Sequence, residues 1–273
     1  MSPVTNFFVS VHPDLVSFDL FFRTEYTSFD GKQCFSIKYR KSGNGCIVEW
    51  QIAMQDFEIL VNHQWKTVLE MFRLEFENQE NLNKAATEYV LREIEQILKA
   101  RKTSLQVQDF CIGLSNREHQ IEKILELVDA KTIQKIRIIG KKGNEMDQID
   151  IEQLMQLKQF KNAKELKIWK FDLQTPIEEL VDFSKVEVFM EAVSVKSLLS
   201  LKQNFLHSKP LEMFYIKYNS IDNLSLLEEK LGKCSKEQCE KVWHFQYPDS
   251  SDVLSINVLS SGQITFVRNY WMK

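Results

Sequence analysis

Five histidines could bind a metal or move a proton: His12, His63, His119, His207 and His244. They are scattered along the chain, and no two stand at a metal-ligand spacing, so imidazoles in the core or on helix surfaces are the expectation. The five cysteines, Cys34, Cys46, Cys111, Cys234 and Cys239, are odd in number. Cys234 and Cys239 have four residues between them and no second pair, and with His244 alone nearby they do not complete a tetrahedral zinc set. Adjacent carboxylates such as Glu178-Glu179 and Glu228-Glu229 sit on one expected helix surface each, whereas acid–base catalysis needs two carboxylates in unlike environments. No GxSxG, HExxH, P-loop or GxGxxG is present. The reading is a protein without cofactor, metal or catalytic residues.

One basic ladder invites a nucleic-acid reading. Lys158, Lys161, Lys164, Lys167 and Lys170 recur every three residues, with Phe160 and Trp169 among them. Lysines with interleaved aromatics suit single-stranded RNA. The segment crosses from a helical pattern into a strand pattern, so the lysines need not share a face. The chain as a whole has 35 basic against 38 acidic side chains, a net charge of -3. That balance argues against a chain-wide pull on nucleic acid.

The elements that must position any site come from periodicity. The first 55 residues have β character. Phe18, Leu20 and Phe22 alternate, as do Phe35, Ile37 and Tyr39. Ser42-Gly43-Asn44-Gly45 then offers a tight turn, and a returning strand is expected over residues 46–52. Beyond it the pattern apolar-x-x-apolar-x-apolar repeats. It reads Leu69, Phe72, Leu74; Val107, Phe110, Ile112; Ile133, Ile136, Ile138; Ala163, Leu166, Ile168; Phe183, Val186, Val188; and Leu211, Phe214, Ile216. Cys239, Val242 and His244 form a weaker last copy. The first positions, 69, 107, 133, 163, 183, 211 and 239, lie 38, 26, 30, 20, 28 and 28 residues apart. Stretches with apolar residues every three or four positions intervene: 82–98, 121–128, 195–206 and 221–231. Thr175, Pro176 and Glu178 carry a capping-box signature. The tail predicts a strand over 242–247 and a hairpin over 253–270 turning at Ser260-Ser261-Gly262.

These spacings predict an α/β fold: a leucine-rich-repeat-like solenoid of βα units over 56–273, behind an N-terminal β-hairpin region and closed by a C-terminal β-hairpin cap. Only Asn219 stands where such repeats carry their Asn, so the array is not a regular one.

Strand alternation then nominates a surface. The residues between and after the inward positions face outward. Across neighbouring strands they are Arg73 and Glu75, Arg137 and Ile139, Lys167 and Trp169, Glu187 and Phe189, Tyr215 and Lys217, and Trp243 and Phe245. Aromatics with arginine and lysine are the composition of protein-binding hot spots. The expected partner-binding set is Arg137, Ile139, Lys167, Trp169, Glu187, Phe189, Tyr215 and Lys217. The competing possibility is that the N-terminal segment covers this face.

Several phrases carry a family resemblance. They are FEILVNHQWKTVLEMFRLEFE (57–77), ILELVDAKTIQKIRI (124–138), LKQFKNAKELKIWKF (157–171), PIEELVDFSKVEVFMEAVSVKSLLSLKQNFLHSKPLEMFYIKY (176–218), and the tail WHFQYPDSSDVLSINV…ITFVR (243–268). Together they resemble the nematode (Caenorhabditis) F-box proteins that carry an FTH domain, with Phe160 where the family has Trp. The resemblance implies a protein-interaction module that chooses the partner for a ubiquitin ligase, the F-box itself binding Skp1 and the cullin. It also implies an alternative, a translational cofactor acting with an RNA-binding protein or RNA. The stretch shows no F-box, and residues 1–55 resemble the segment that comes after the F-box in that family, which argues against Skp1 engagement by these residues. No apolar run approaches membrane-spanning length and the start does not read as a signal peptide, so a cytoplasmic or nuclear protein acting on another protein is the expectation.

Overall fold

The computed structural model describes residues 4–12, 15–23, 32–40, 46–63, 68–76, 84–113, 118–140, 146–207, 210–237 and 240–270. The fold is mixed α/β, and its contacts divide it into two compact units. Unit 1 comprises Met1–Glu145 and Gln153–Ala163, and unit 2 comprises Met146–Glu152 and Lys164–Lys273.

Unit 1 contains strands β1 (Val4–His12), β2 (Leu15–Arg23), β3 (Lys32–Arg40), β4 (Leu69–Phe76), β5 (Val107–Gly113) and β6 (Lys135–Ile139). Its helices are α1 (Cys46–His63), α2 (Lys84–Ala100), α3 (Glu118–Leu125) and α4 (Lys158–Asn162). The sheet order is β6-β5-β4-β1-β2-β3, parallel from β6 to β1 and antiparallel from β1 to β3. The N-terminal strands therefore lengthen the sheet edgewise at β4. The apolar repeat positions fall level across the parallel strands: Phe72 pairs with Phe110 and Phe110 with Ile136. All three are fully buried, and the two phenyl rings stack with centroids 6.1 Å apart. The apolar positions of neighbouring parallel strands thus form one continuous buried row.

Two polar devices complete unit 1. The Arg101 guanidinium, just after α2, donates to the Val61 carbonyl in the last turn of α1, where helix carbonyls lack partners. The Gln159 amide on α4 donates to the carbonyls of Glu126 (3.3 Å) and Val128 (2.8 Å), just beyond α3. The strand expected over 46–52 is instead the first turns of α1. Alternation there competes with a continuous helical stripe, Met54, Phe57 and Val61, that is buried in the core. The turn expected at 42–45 lies outside the described residues.

Unit 2 contains strands β7 (Asp147–Ile149), β8 (Glu165–Trp169), β9 (Phe171–Leu173), β10 (Lys185–Val193), β11 (Met213–Ile221), β12 (Ser235–Glu237), β13 (Glu240–Gln246), β14 (Val253–Leu259) and β15 (Gln263–Asn269). Its helices are α5 (Val195–His207) and α6 (Leu224–Leu231). The order is β8-β10-β11-β15-β14-β13-β12, parallel as far as β11 and antiparallel after it, with β7 and β9 forming a separate parallel pair. The C-terminal hairpin adds sideways to β11, so it occupies the edge the βα strands would otherwise leave open. Leu166, Val186, Phe214, Phe266, Ile256 and Trp243 form one buried row across six strands. Helix α5 lies on this face, where Phe205 stacks on Phe266 at 5.7 Å. At the β14–β15 turn Gly262 takes φ +77, and a Cβ there would meet the Tyr218 carbonyl oxygen at 2.5 Å, so the turn requires glycine.

Thr175 does not cap a helix. Its hydroxyl accepts the Ile151 N–H and donates to Asp150, both at 2.9 Å, binding the β7 segment to the chain after β9. The 3-10 turn beyond it, Ile177–Leu180, has Pro176 at its cap and no side-chain cap bond.

A tyrosine in unit 2 yields a pH prediction. Tyr247 is buried (5% exposed), and its hydroxyl has no hydrogen-bond partner among the described residues. Burial is the main cause that pushes its phenol up to about 12, against the opposing pull of Arg268. The unfolded phenol ionises near 10. The folded value is the higher one, so this contribution to stability is complete below about pH 10 and is lost as pH rises from about 10 through 12. Tyr247→Phe is expected to flatten that alkaline loss. It should also raise stability at neutral pH by about 1 kcal/mol, because an unsatisfied buried hydroxyl is removed. Urea titrations at about pH 8, 10 and 11 check both.

Candidate sheet-face interaction site

The outward residues of unit 2 come from three parallel strands in lateral register. Lys167 on β8 pairs with Glu187 on β10, and Glu187 with Tyr215 on β11. Because Leu166, Ile168, Val186, Val188, Phe214 and Ile216 all turn inward and are buried, alternation sends Lys167, Glu187 and Tyr215 to the opposite face. Trp169 ends β8. Lys170 comes next with φ 59, a left-handed conformation uncommon for a side-chain-bearing residue, and the chain turns there into β9.

Three side chains lock together on this face. The Lys167 ammonium contacts Glu187 Oε2 at 2.7 Å, and the Trp169 indole N–H donates to Glu187 Oε1 at 2.8 Å. The same ammonium sits 3.7 Å from the centroid of the Trp169 ring, a cation–π contact. The carboxylate is thereby satisfied from two sides, and the indole is held by its edge and its face. Trp169 nonetheless remains 47% exposed. A large apolar surface is thus held in one orientation. Beside it, the Tyr215 phenol is pushed up, first by burial and then by the Glu187 charge. Lys185 extends the polar border, 3.4 Å from Glu165 and 3.7 Å from Glu212, and Lys217 is exposed.

The expected eight residues divide between the two units. Arg137 and Ile139 belong to β6 of unit 1, where Arg137 is ion-paired with Asp109 of β5. Phe189 shares the parity of Glu187 but is 4% exposed. The reason is local: β9 runs beside the far half of β10, where the Asp172 carboxylate accepts the Glu191 N–H at 2.7 Å. Phe189 therefore belongs to the interior and is not an anchor. Trp243 is also interior, 2% exposed, with its indole N–H donating to the Gly232 carbonyl at 2.8 Å. Its strand is antiparallel, and its inward positions are 243 and 245, where Lys202 of α5 covers the Phe245 ring at 3.6 Å. His244, expected inward, is exposed.

The lysine ladder likewise divides. Lys158 and Lys161 lie on α4 of unit 1, Phe160 is buried, and Lys167 is held by Glu187. Elsewhere in unit 2, a cleft of about 600 Å³ is lined by Tyr218, Glu240, Lys241 and the turn at Ser260, Ser261 and Gly262. Lys241 there is ion-paired with Glu228. Among the described residues no group of three or more His, Cys, Asp or Glu side chains could hold a metal ion, and no helix is long and apolar enough to cross a membrane.

The architecture defines a mixed α/β module of in-register βα units presenting an aromatic and charged sheet face. The FTH domain model matches residues 88–229, which include Lys167, Trp169, Glu187 and Tyr215, and the chain belongs to the FTH domain family. Comparison with curated proteins and with solved structures finds no match.

Proposed function

We propose that the chain is a non-enzymatic protein-interaction module of the substrate-receptor type, which holds another protein on the open sheet face of unit 2. The observation that carries this reading is the exposed indole of Trp169, locked by Lys167 and Glu187. Rigid aromatics bordered by satisfied charges are the pattern of interface hot spots, whose truncation costs about 2 kcal/mol or more of binding. Tyr215 and Lys217 supply neighbouring contact, and the leucine-rich-repeat-like stacking of the βα units belongs to the same proposal. In this role the face selects a partner, and delivery to a ubiquitin ligase requires an F-box to recruit Skp1 and the cullin. The protein acts in the cytoplasm or nucleus, without cofactor.

The test is quantitative recovery of crosslinked partners by the full chain, compared with Trp169→Ala and Tyr215→Ala. Trp169→Ala is expected to reduce recovery of at least one specific partner about thirtyfold, from the loss of about 2 kcal/mol. Unchanged recovery with both variants, each still folded by circular dichroism, overturns the assignment. A second reading, RNA contact through the lysines, predicts affinity that falls steeply with salt. It is weakened by the burial of Phe160 and the pairing of Lys167, which remove one stacking ring and one free cation from the ladder.

A further inference from the structure

The cleft in unit 2 opens at the turn end of the C-terminal hairpin. Its walls come from four elements: Tyr218 near the end of β11, Leu224 at the start of α6, Glu240 and Lys241 at the start of β13, and Val258 and Leu259 at the end of β14. The β14–β15 turn closes it. Its volume of about 600 Å³ is in the range of pockets that hold small organic groups. The closing turn is fixed, because the Tyr218 N–H donates to the Gly262 carbonyl at 2.9 Å and Gly262 takes φ +77. Part of the wall is apolar. Leu224 is 38% exposed although α6 buries Leu227 and Leu231. The Tyr218 phenol is pushed up by burial, as expected of a poorly hydrated wall.

Charge decides what enters. The Lys241 ammonium is ion-paired with Glu228 of α6. Glu240 has no Lys or Arg partner among the described residues. An anion would have to displace Glu228 from Lys241 and would meet the Glu240 charge. The first turn of α6 offers it little in return, since Asn223 Oδ1 already accepts the Leu226 N–H at 2.9 Å. A cation breaks no pair: Glu240 supplies the opposite charge, and Tyr218 and Leu224 supply contact for the carbons behind it.

We propose that this cleft binds an organic cation, an ammonium or guanidinium group on a short apolar stem, with Glu240 as its counter-charge and Tyr218 and Leu224 along the stem. The cation can belong to a free amine or to a Lys or Arg side chain of a bound polypeptide. Tyr218 shares the parity of the buried Phe214 and Ile216, opposite to that of Tyr215, so the cleft and the Trp169 face are separable by mutation.

The test titrates the full chain with four probes: butylguanidinium, the capped peptide Ala-Arg-Ala, its neutral analogue with citrulline in place of arginine, and inorganic phosphate. Calorimetry gives affinity, and amide shifts at Leu224, Leu259 and Ser261 give location. At least one of the two cations is expected to bind saturably with shifts at those amides, and to weaken as salt rises. The tighter of the two identifies the source of the group. The citrulline peptide should bind at least about tenfold more weakly than the arginine peptide, and Glu240→Gln should weaken the cation at least about tenfold. Glu240 is partly exposed, so circular dichroism and Trp169-dependent partner recovery of this variant should stay as in the parent. No saturable binding of either cation, equal binding of the citrulline peptide, or undiminished binding by Glu240→Gln overturns the proposal. So does phosphate binding at those amides that Lys241→Ala abolishes, which would assign the cleft to an anion.

Discussion

Replacing Trp243 by alanine is expected to destabilise the protein by about 3–5 kcal/mol, whereas replacing Trp169 by alanine should change stability by less than about 1 kcal/mol. In sequence the two look alike: each stands between a β-branched residue and a basic one, Val242 and His244 in one case, Ile168 and Lys170 in the other. Trp243 is nevertheless sealed at 2% exposure, in the same lateral row as Ile256, Phe266 and Phe214, and its indole N–H is satisfied by the Gly232 carbonyl after α6. Truncation there opens a cavity the size of an indole and leaves that carbonyl without its donor. Trp169 loses only an exposed ring, one bond to Glu187 and one cation–π contact. Urea denaturation followed by far-ultraviolet circular dichroism, which does not depend on either indole as reporter, separates the two. A Trp243→Ala protein as stable as its parent would contradict the buried row. A Trp169→Ala protein that unfolds would mean the indole supports the sheet, and its effect on partner recovery would then carry no information about the interface.

The difference between these two tryptophans shows where sequence patterning runs out. Six copies of the apolar pattern identify β4, β5, β6, β8, β10 and β11, and their second positions align across neighbours within each unit. That pattern is reliable because parallel strands fed by crossover helices share one inward parity. The seventh copy is aligned on Cys239, Val242 and His244, but β13 is antiparallel to β14 and no helix sets its register. Hairpin pairing sets it instead, placing Trp243 against Ile256 and Phe245 against Leu254. The apolar run of β14 holds the missing signal, which emerges once that run is paired across the turn before parity is assigned.

The same division governs the site. Lys167, Glu187 and Tyr215 are legible as outward residues because alternation alone decides their direction. Phe189 has the right parity but is buried where β9 runs beside its half of β10, and nothing in strand periodicity anticipates a second small sheet. The start of α1 escapes sequence reading for a related reason. Its first residues, 46–52, come after Asn44-Gly45 and read as the return arm of a hairpin, which hides their helical phase relative to Ile59.

Arg268 should rank beside Trp243 among the most costly positions to truncate. Its guanidinium contacts one oxygen of Asp252 twice, Nε at 2.9 Å and Nη2 at 2.7 Å, with both side chains only 14% exposed. It also lies over the Tyr247 ring at 4.4 Å and the Tyr270 ring at 5.4 Å. Arg268→Met keeps most of the stem's volume but leaves the Asp252 carboxylate without this partner, so the expected loss is about 3–5 kcal/mol. With both side chains mostly covered, this loss should depend less on salt than that of a surface pair. The paired variant Arg268→Met/Asp252→Leu removes both charges and should recover a large part of the loss, since an uncompensated carboxylate costs more than an absent pair. Additive losses in this cycle, or a single-variant loss below about 1 kcal/mol, would show that the pair is effectively solvated. The position also tests how far the patch depends on its neighbour. Arg268 donates its backbone N–H to the Glu212 carbonyl, and β15 pairs Thr265 with Tyr215, so the C-terminal hairpin supports the strand that presents Tyr215. At temperatures where Arg268→Met stays folded, partner recovery through Trp169 should equal that of the parent, because the side chain reaches Asp252 and not the exposed face. Loss of recovery in the folded variant would instead mean that the hairpin sets the position of Tyr215 through the Arg268 side chain.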